Sequence, residues 1–235
     1  MRSSIEENII EVKRRVEEAA KKAGRNPEDV LILAVSKTID VPRIKEAVQC
    51  GLNSLGENRV QEIMDKYEPM GEGINWHLIG HLQTNKVKYI IDKVCLIHSV
   101  ESLKLADEIN KKAEKAGIIM DILVEVNIAN EESKFGIKPE DCESFIRELS
   151  KMKNINVKGL MTVAPFTENP EENRVYFKGL KDLLVDINNK KIDNINMSEL
   201  SMGMTGDFEV AVEEGATIVR VGTGIFGERF YPNKK

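Results

Sequence analysis

A chain of 235 residues, 41% hydrophobic and 31% charged, has the size of one α/β barrel and the composition of an ordinary folded protein, so one domain over residues 1–235 is expected. No apolar run approaches the length of a membrane span, and a net charge of -5 argues against a general nucleic-acid binder, which would show a basic face. The N-terminus passes directly into a charged amphipathic pattern without an apolar signal core, so cytoplasmic residence is expected. Cys50, Cys95 and Cys142 are odd in number and lack CxxC pairing, which suggests three reduced thiols rather than a disulfide framework or a zinc site.

From Ser3 to Lys22, Ile5, Ile9, Val12, Val16, Ala19 and Ala20 recur at helical spacing opposite Glu, Lys and Arg, and Gly24 with Pro27 ends the pattern. This predicts an outer helix ahead of the first strand. The run from Val30 to Thr38 is too short for a helix and lacks period-2 alternation, so it reads as a strand buried on both faces. It stops at Lys37. Val41 to Gln49 predicts a helix closed by Cys50 and Gly51, and Leu52 to Glu57 a second strand. Asn58 starts a helix to about Tyr67 that Pro69, Gly71 and Gly73 break.

The alternation continues with strands at Ile74–Gly80, Val94–Val100, Ile122–Asn127, Val157–Ala164, Met197–Met202 and Thr217–Val221. Helices are expected between them at Asn85–Asp92, Glu101–Ala116, Pro139–Met152, Pro170–Asn188 and Asp207–Glu214. Eight strands separated by helices predict a (β/α)₈ barrel of the TIM type with an extra N-terminal helix. An open doubly wound sheet is the alternative, but the first strand lacks the GxGxxG turn of such a nucleotide binder.

Barrel chemistry belongs at the strands' carboxyl ends, and unusual residues gather there. Lys37 follows the first strand; loss of hydration near a dry mouth would lower its pKa and make it a better nucleophile towards aldehydes. A solvated lysine just past a strand is the bland alternative. Gly56-Glu57-Asn58-Arg59 follows the second strand, and the third carries the only Trp, His77 and His81, with Gly80 allowing a close turn. His77 can point into the barrel as a site residue or be a satisfied core histidine; His98 gives a similar but weaker signal. No HExxH-like spacing points to a metal.

Ser198 to Asp207 offers hydroxyls and small residues and Val219 to Gly227 a Gly-rich turn at the last two strand ends, where barrels often hold a phosphate on backbone N–H groups. A lysine amine facing such a cradle points to pyridoxal 5'-phosphate (PLP), whose aldehyde needs the amine and whose phosphate needs the cradle. Arg220 is then the candidate partner of the pyridine nitrogen, with a structural ion pair as its alternative. A guanidinium there leaves the nitrogen unprotonated and makes the cofactor a poorer electron sink.

Ala34 to Lys37, Gly56 to Arg59, Trp76 to Lys86, Lys134 to Ile137, Gly159 to Thr162, Ser201 to Met204 and Val219 to Thr223 together resemble the PLP homeostasis proteins, which share the fold of the N-terminal barrel of alanine racemase. The resemblance covers essentially the whole chain. It implies that Lys37 is the Schiff-base lysine, that Asn58 and His77 line the ring side, that Ser201, Gly222 and Thr223 hold the phosphate, and that Arg220 faces the pyridine nitrogen. Thr205 and Gly224 fall where variation within the family is expected. The implied function is binding and carrying of PLP without established turnover, with PLP-dependent apo-enzymes as candidate recipients, no nucleic-acid or membrane partner, and a monomeric state. A single-domain PLP-dependent racemase or lyase is the competing reading, and a barrel binding a phosphorylated metabolite or a protein without any Schiff base is a third. Against the racemase, the chain ends at Lys235 without a second, tyrosine-bearing domain. Tyr67, Tyr89 and Tyr176 fall on outer helices and Tyr231 in the tail, which leaves His77 as the one internal candidate base.

Overall fold

In the computed structural model, which describes residues 4–131 and 134–228, the apolar runs become eight parallel strands: β1 (Leu31–Val35), β2 (Ser54–Glu57), β3 (Asn75–Leu78), β4 (Leu96–Val100), β5 (Met120–Glu125), β6 (Ile155–Met161), β7 (Glu199–Met204) and β8 (Ile218–Val221). Each pairs with its neighbour in sequence, and β8 returns to β1 with Leu31 opposite Ile218 and Leu33 opposite Arg220. The result is the expected (β/α)₈ barrel.

The helices are α1 (Ile5–Lys22), α2 (Val41–Gln49), α3 (Val60–Met70), α4 (Leu103–Ala116), α5 (Cys142–Leu149), α6 (Arg174–Asn189), α7 (Phe208–Glu213) and the one-turn α8 (Thr223–Phe226). α1 is the predicted N-terminal helix. Ser4 and Glu7 close a capping box at its start, and its buried stripe is the six residues that the spacing singled out. It packs over α7 and α8, with Asn8 Nδ2 donating to the Ile225 carbonyl at 2.9 Å and Arg15 lying over the Phe208 ring. The extra helix therefore backs the two turns that follow β7 and β8.

Two local expectations fail. Pro69 does not break the third helix, which runs to Met70 and ends at Gly71 with φ +74°; the proline gives up one i→i−4 bond, but only Met70 follows it before the helix stops. The stretch expected as a helix over 85–92 is a short 3-10 segment, Thr84–Tyr89, with only Val87 buried.

The main core lies between sheet and helices, where Trp76, Leu78, Ile97 and Phe177 are buried. Leu33, Leu96, Leu123, Met161 and Ile218 form a separate cluster. No helix among the described residues is long and apolar enough to cross a membrane.

Candidate functional site

At the carboxyl ends of the strands a cavity of about 300 Å³ is lined by Lys37, Asn58, Arg220, Gly222 and Thr223, together with Val35, Ile79, Val163, Met204, Thr205 and Gly206. Strand alternation accounts for this gathering. On β1, Leu33 belongs to the cluster that includes Ile218, and Val35 lines the cavity two residues on, so Lys37 continues the same parity. Ile218, Arg220 and Gly222 follow the same rule along β8. A larger cavity of about 620 Å³ sits at the strands' amino ends and mixes Lys13 and Lys158 with Glu28, Asp29, Asp121 and Glu199. The smaller one holds the amine and the Gly-rich turns at the end where barrels do their chemistry.

Lys37 is half-buried on a turn fixed from both sides. Lys66 on α3 donates to the Ser36 carbonyl at 2.8 Å and to Glu57 Oε1 at 2.7 Å, and it reaches Glu62 Oε2 at 3.2 Å. Ser36 Oγ also donates to Glu57, and the Thr38 N–H donates to Glu62 at 2.7 Å. Thr38 has φ +65°, an unfavourable region for a β-branched residue, and the Glu62 bond helps hold it there. Burial pushes the Glu57 carboxyl above its ordinary range despite Lys66 and Ser36. Burial acts the same way on Glu62, but the Thr38 N–H and Lys66 outweigh it and leave that carboxyl below the usual range.

Across the cavity, Gly222 N–H and Gly224 N–H both donate to Thr205 Oγ1 at 3.3 Å. These are long neutral bonds, whereas an oxyanion in the same turn would accept shorter, charge-assisted ones. Gly224 admits no side chain, since a Cβ would lie 2.9 Å from Val221 Cγ1 and 3.2 Å from Thr205 Cγ2.

Arg220 is buried, with Nη1 donating to Ser201 Oγ at 2.8 Å and Nη2 to the Thr162 carbonyl at 2.7 Å. Burial lowers its pKa to about 10 against the pull of Asp207 and Glu125, so it keeps its charge at neutral pH. Ser201 Oγ lies 2.9 Å from His98 Nδ1, and His98 Nε2 lies 3.0 Å from His77 Nδ1. Ser201 accepts from Arg220 and keeps both a proton and a second lone pair for His98, so the Ser201–His98–His77 chain is compatible with either imidazole tautomer. Burial depresses both imidazoles, His77 to about 4 and His98 well below its ordinary value, the latter helped by His77 and Arg220. Glu125, at the end of β5, is pushed up to about 7 by burial and by Glu101, with Arg220 opposing.

Of the seven residues singled out from sequence, five line the cavity: Lys37, Asn58, Arg220, Gly222 and Thr223. Ser201 and His77 do not. Ser201 is fully buried and engaged by Arg220 and His98, and His77 lies two hydrogen bonds further on and lines the cavity at the amino ends. Asn58 Oδ1 is buried without a partner among the described residues, and the backbone beneath it is so close that a Cβ on Gly80 would sit 2.4 Å from the Asn58 carbonyl oxygen. Sequence reasoning missed Thr205, whose hydroxyl organises the turn, and underrated His98. Thr205 begins a Thr-Gly pair just past a strand, a signal that could have been read.

Residues 7–230 match the family described as alanine racemase, N-terminal domain. The pyridoxal phosphate homeostasis protein of Aquifex aeolicus is 47% identical over 226 residues, covering 96% of this chain and 98% of that protein. The chain belongs to the pyridoxal phosphate homeostasis protein family. Family likeness extends to the backbone: a protein of unknown function from Bifidobacterium adolescentis, 36% identical, superposes with TM-score 0.89 over 94% of each chain. PipY of Synechococcus elongatus PCC7942, 32% identical, has been solved with PLP bound and matches with TM-score 0.79 over 91% of this chain and all of that one.

Proposed function

We propose that this chain holds PLP as a Schiff base on Lys37 in the mouth cavity and serves PLP homeostasis in the cell without turning over amino acids. The observation that carries the reading is the convergence of Lys37, Arg220 and the Thr205, Gly222 and Thr223 turn on one cavity of about 300 Å³. That volume is at the small end of ligand pockets and suits a single-ring cofactor. The residues fit it in kind: an amine on a braced turn, backbone donors, a charged guanidinium, and the Asn58 amide oxygen, which has no partner among the described residues. When bound, PLP supplies an aldehyde that condenses with an amine.

Each residue's part follows from its surroundings. Lys66 and Glu62 hold the Lys37 turn, Thr205 holds the phosphate turn open, and Ser201 with the Thr162 carbonyl orients Arg220 as a donor. Ser201 is thus a support for Arg220 in this reading rather than a phosphate ligand. The absence of turnover is argued from bases. His77, the internal candidate, is neutral and screened from the cavity by His98 and Ser201. No described tyrosine lines the cavity, and Tyr231 lies outside the described residues. A monomeric, cytoplasmic carrier that passes PLP to apo-enzymes completes the proposal.

Borohydride reduction of the PLP-loaded protein followed by peptide mapping is expected to label Lys37, and a label on another lysine with Lys37 unmodified refutes the assignment. Incubation with L-alanine in deuterated water is expected to show no exchange at Cα on the scale of catalysis. Exchange at about 1 per second or faster, abolished by Lys37→Ala, would overturn the carrier reading in favour of a racemase.

A further inference from the structure

The stretches Gly56 to Arg59 and Trp76 to Lys86 contribute little to the PLP cavity beyond Asn58, yet their remaining polar residues converge elsewhere. A second cavity of about 520 Å³ opens beside the first at the carboxyl ends of β2 and β3, lined by Arg59, His81, Gln83, Lys86 and Tyr89. The two cavities share Asn58.

The charge of this second cavity is one-sided. No Asp or Glu lines it, although the chain as a whole is acidic. Carboxylates on the neighbouring stretches are already engaged: Glu62 with Thr38 N–H and Lys66, Asp65 with Gln61 Nε2, and Glu101 with His81 and Gly136 N–H. Arg59 stands out among the arginines. Arg14, Arg15, Arg147 and Arg174 each pair with glutamates, Arg25 and Arg43 each donate to a backbone carbonyl, and Arg220 is held in the barrel. Among the described residues, Arg59 alone has a guanidinium with no hydrogen bond or ion pair. Lys86 likewise lacks a carboxylate partner, and its ammonium lies 5.6 Å over the Tyr89 ring. Arg59 is also the N-cap of α3, whose first turn has no side-chain cap, so the positive end of an eleven-residue helix adds to the same field.

We infer that this second cavity is a binding site for a small organic phosphate monoester, separate from the PLP phosphate turn. A dianion matches the two unpaired cations, the Arg59 fork can take two of its oxygens, and Lys86 acts as a point charge. Gln83 and Asn58 offer amides to the organic part. The inference does not depend on the Lys37 reading, because the cations and the cavity are present whether or not PLP is bound.

The test uses holoprotein fixed with borohydride, so that PLP fills the first cavity, and titrates inorganic phosphate and pyridoxine 5'-phosphate by calorimetry. Saturable binding of one equivalent of pyridoxine 5'-phosphate is expected, weakened at least tenfold by Arg59→Ala and by Lys86→Ala and partly restored by Arg59→Lys. Pyridoxine without phosphate is expected not to bind, and succinate to bind more weakly than the phosphate ester. The Arg59 side chain is exposed and bonded to no described group, so Arg59→Ala is expected to melt at the wild-type temperature. No saturable binding, binding unchanged in both alanine variants, or succinate binding as tightly as the ester would overturn the inference. Should borohydride fix no cofactor, the Lys37 reading fails by itself. The same titration of wild-type against Arg59→Ala protein then still decides the second cavity.

Discussion

Replacing His77 with Asn removes a group that resists protonation while leaving an amide able to bond to His98. In the folded protein burial holds the His77 imidazole at about 4, against an ordinary 6.5. A folded-state value below the unfolded one means the unfolded chain takes the proton first. The contribution to stability is therefore full above 6.5 and is lost as the pH falls towards 4. Going from about pH 7 to about pH 5 costs about 2 kcal/mol through His77. Glu125 works in the opposite sense. Its folded value is raised from 4.5 to about 7, so its contribution is full at low pH and is lost as the pH rises through 7, again by about 2 kcal/mol over the same interval. The two nearly cancel in the wild-type protein. His77→Asn removes one and exposes the other, so the variant should gain about 2 kcal/mol on acidification relative to wild type. Urea denaturation of both proteins at the two pH values gives the difference directly. Parallel changes in the two proteins would refute the account of His77 as a buried neutral group.

Lys66→Met strips the Ser36 carbonyl and Glu57 of their shared partner, and breaking a buried pair from one side should destabilise the protein by about 3 to 5 kcal/mol in urea melts, with Glu57→Gln added in the double variant recovering part of the loss. Gly80→Ala drives a Cβ into the Asn58 backbone and should lower both the melting temperature and PLP affinity, whereas Gly206→Ala points into open space and should leave the melting temperature unchanged. Thr205→Val takes the acceptor from Gly222 and Gly224 N–H, and thermal denaturation of the PLP-free protein should show a loss of about 1 to 3 kcal/mol.

The barrel was legible because strands buried on both faces leave uninterrupted apolar runs, and Lys37 stood out because it ends the first of them. Arg220, Gly222 and Thr223 were found through the glycines that surround them. What could not be read was depth. Ser201 lies inside β7 and Thr205 just past its end, and the irregular pairing of β7 with β8 between Ser201 and Met204 separates the first, which meets Arg220 beneath the cavity, from the second at its rim. His77 and His98 were each visible, but their pairing depends on two strands meeting in register with His77 opposite Leu96, which a linear pattern does not contain. Lys66 was hidden for a different reason. On a helix rich in charge it looks like any solvated lysine, and its burial against Glu57 comes from the packing of α3 on the barrel.

The pairing of β1 with β8 brings together Leu31 and Ile218, 187 positions apart, and the cavity proposed for PLP lies across that seam, with Lys37 on one side and Gly222 on the other. During synthesis the amine emerges long before the turn opposite it, which lies 185 positions further along the chain. A growing or nicked chain would therefore offer a lysine without a cradle, and capture of the ligand would report that the ring had shut. With the proposed site, loading is tied in this way to a long-range contact of the fold, so cofactor retention becomes a measure of correct folding in variants of this protein.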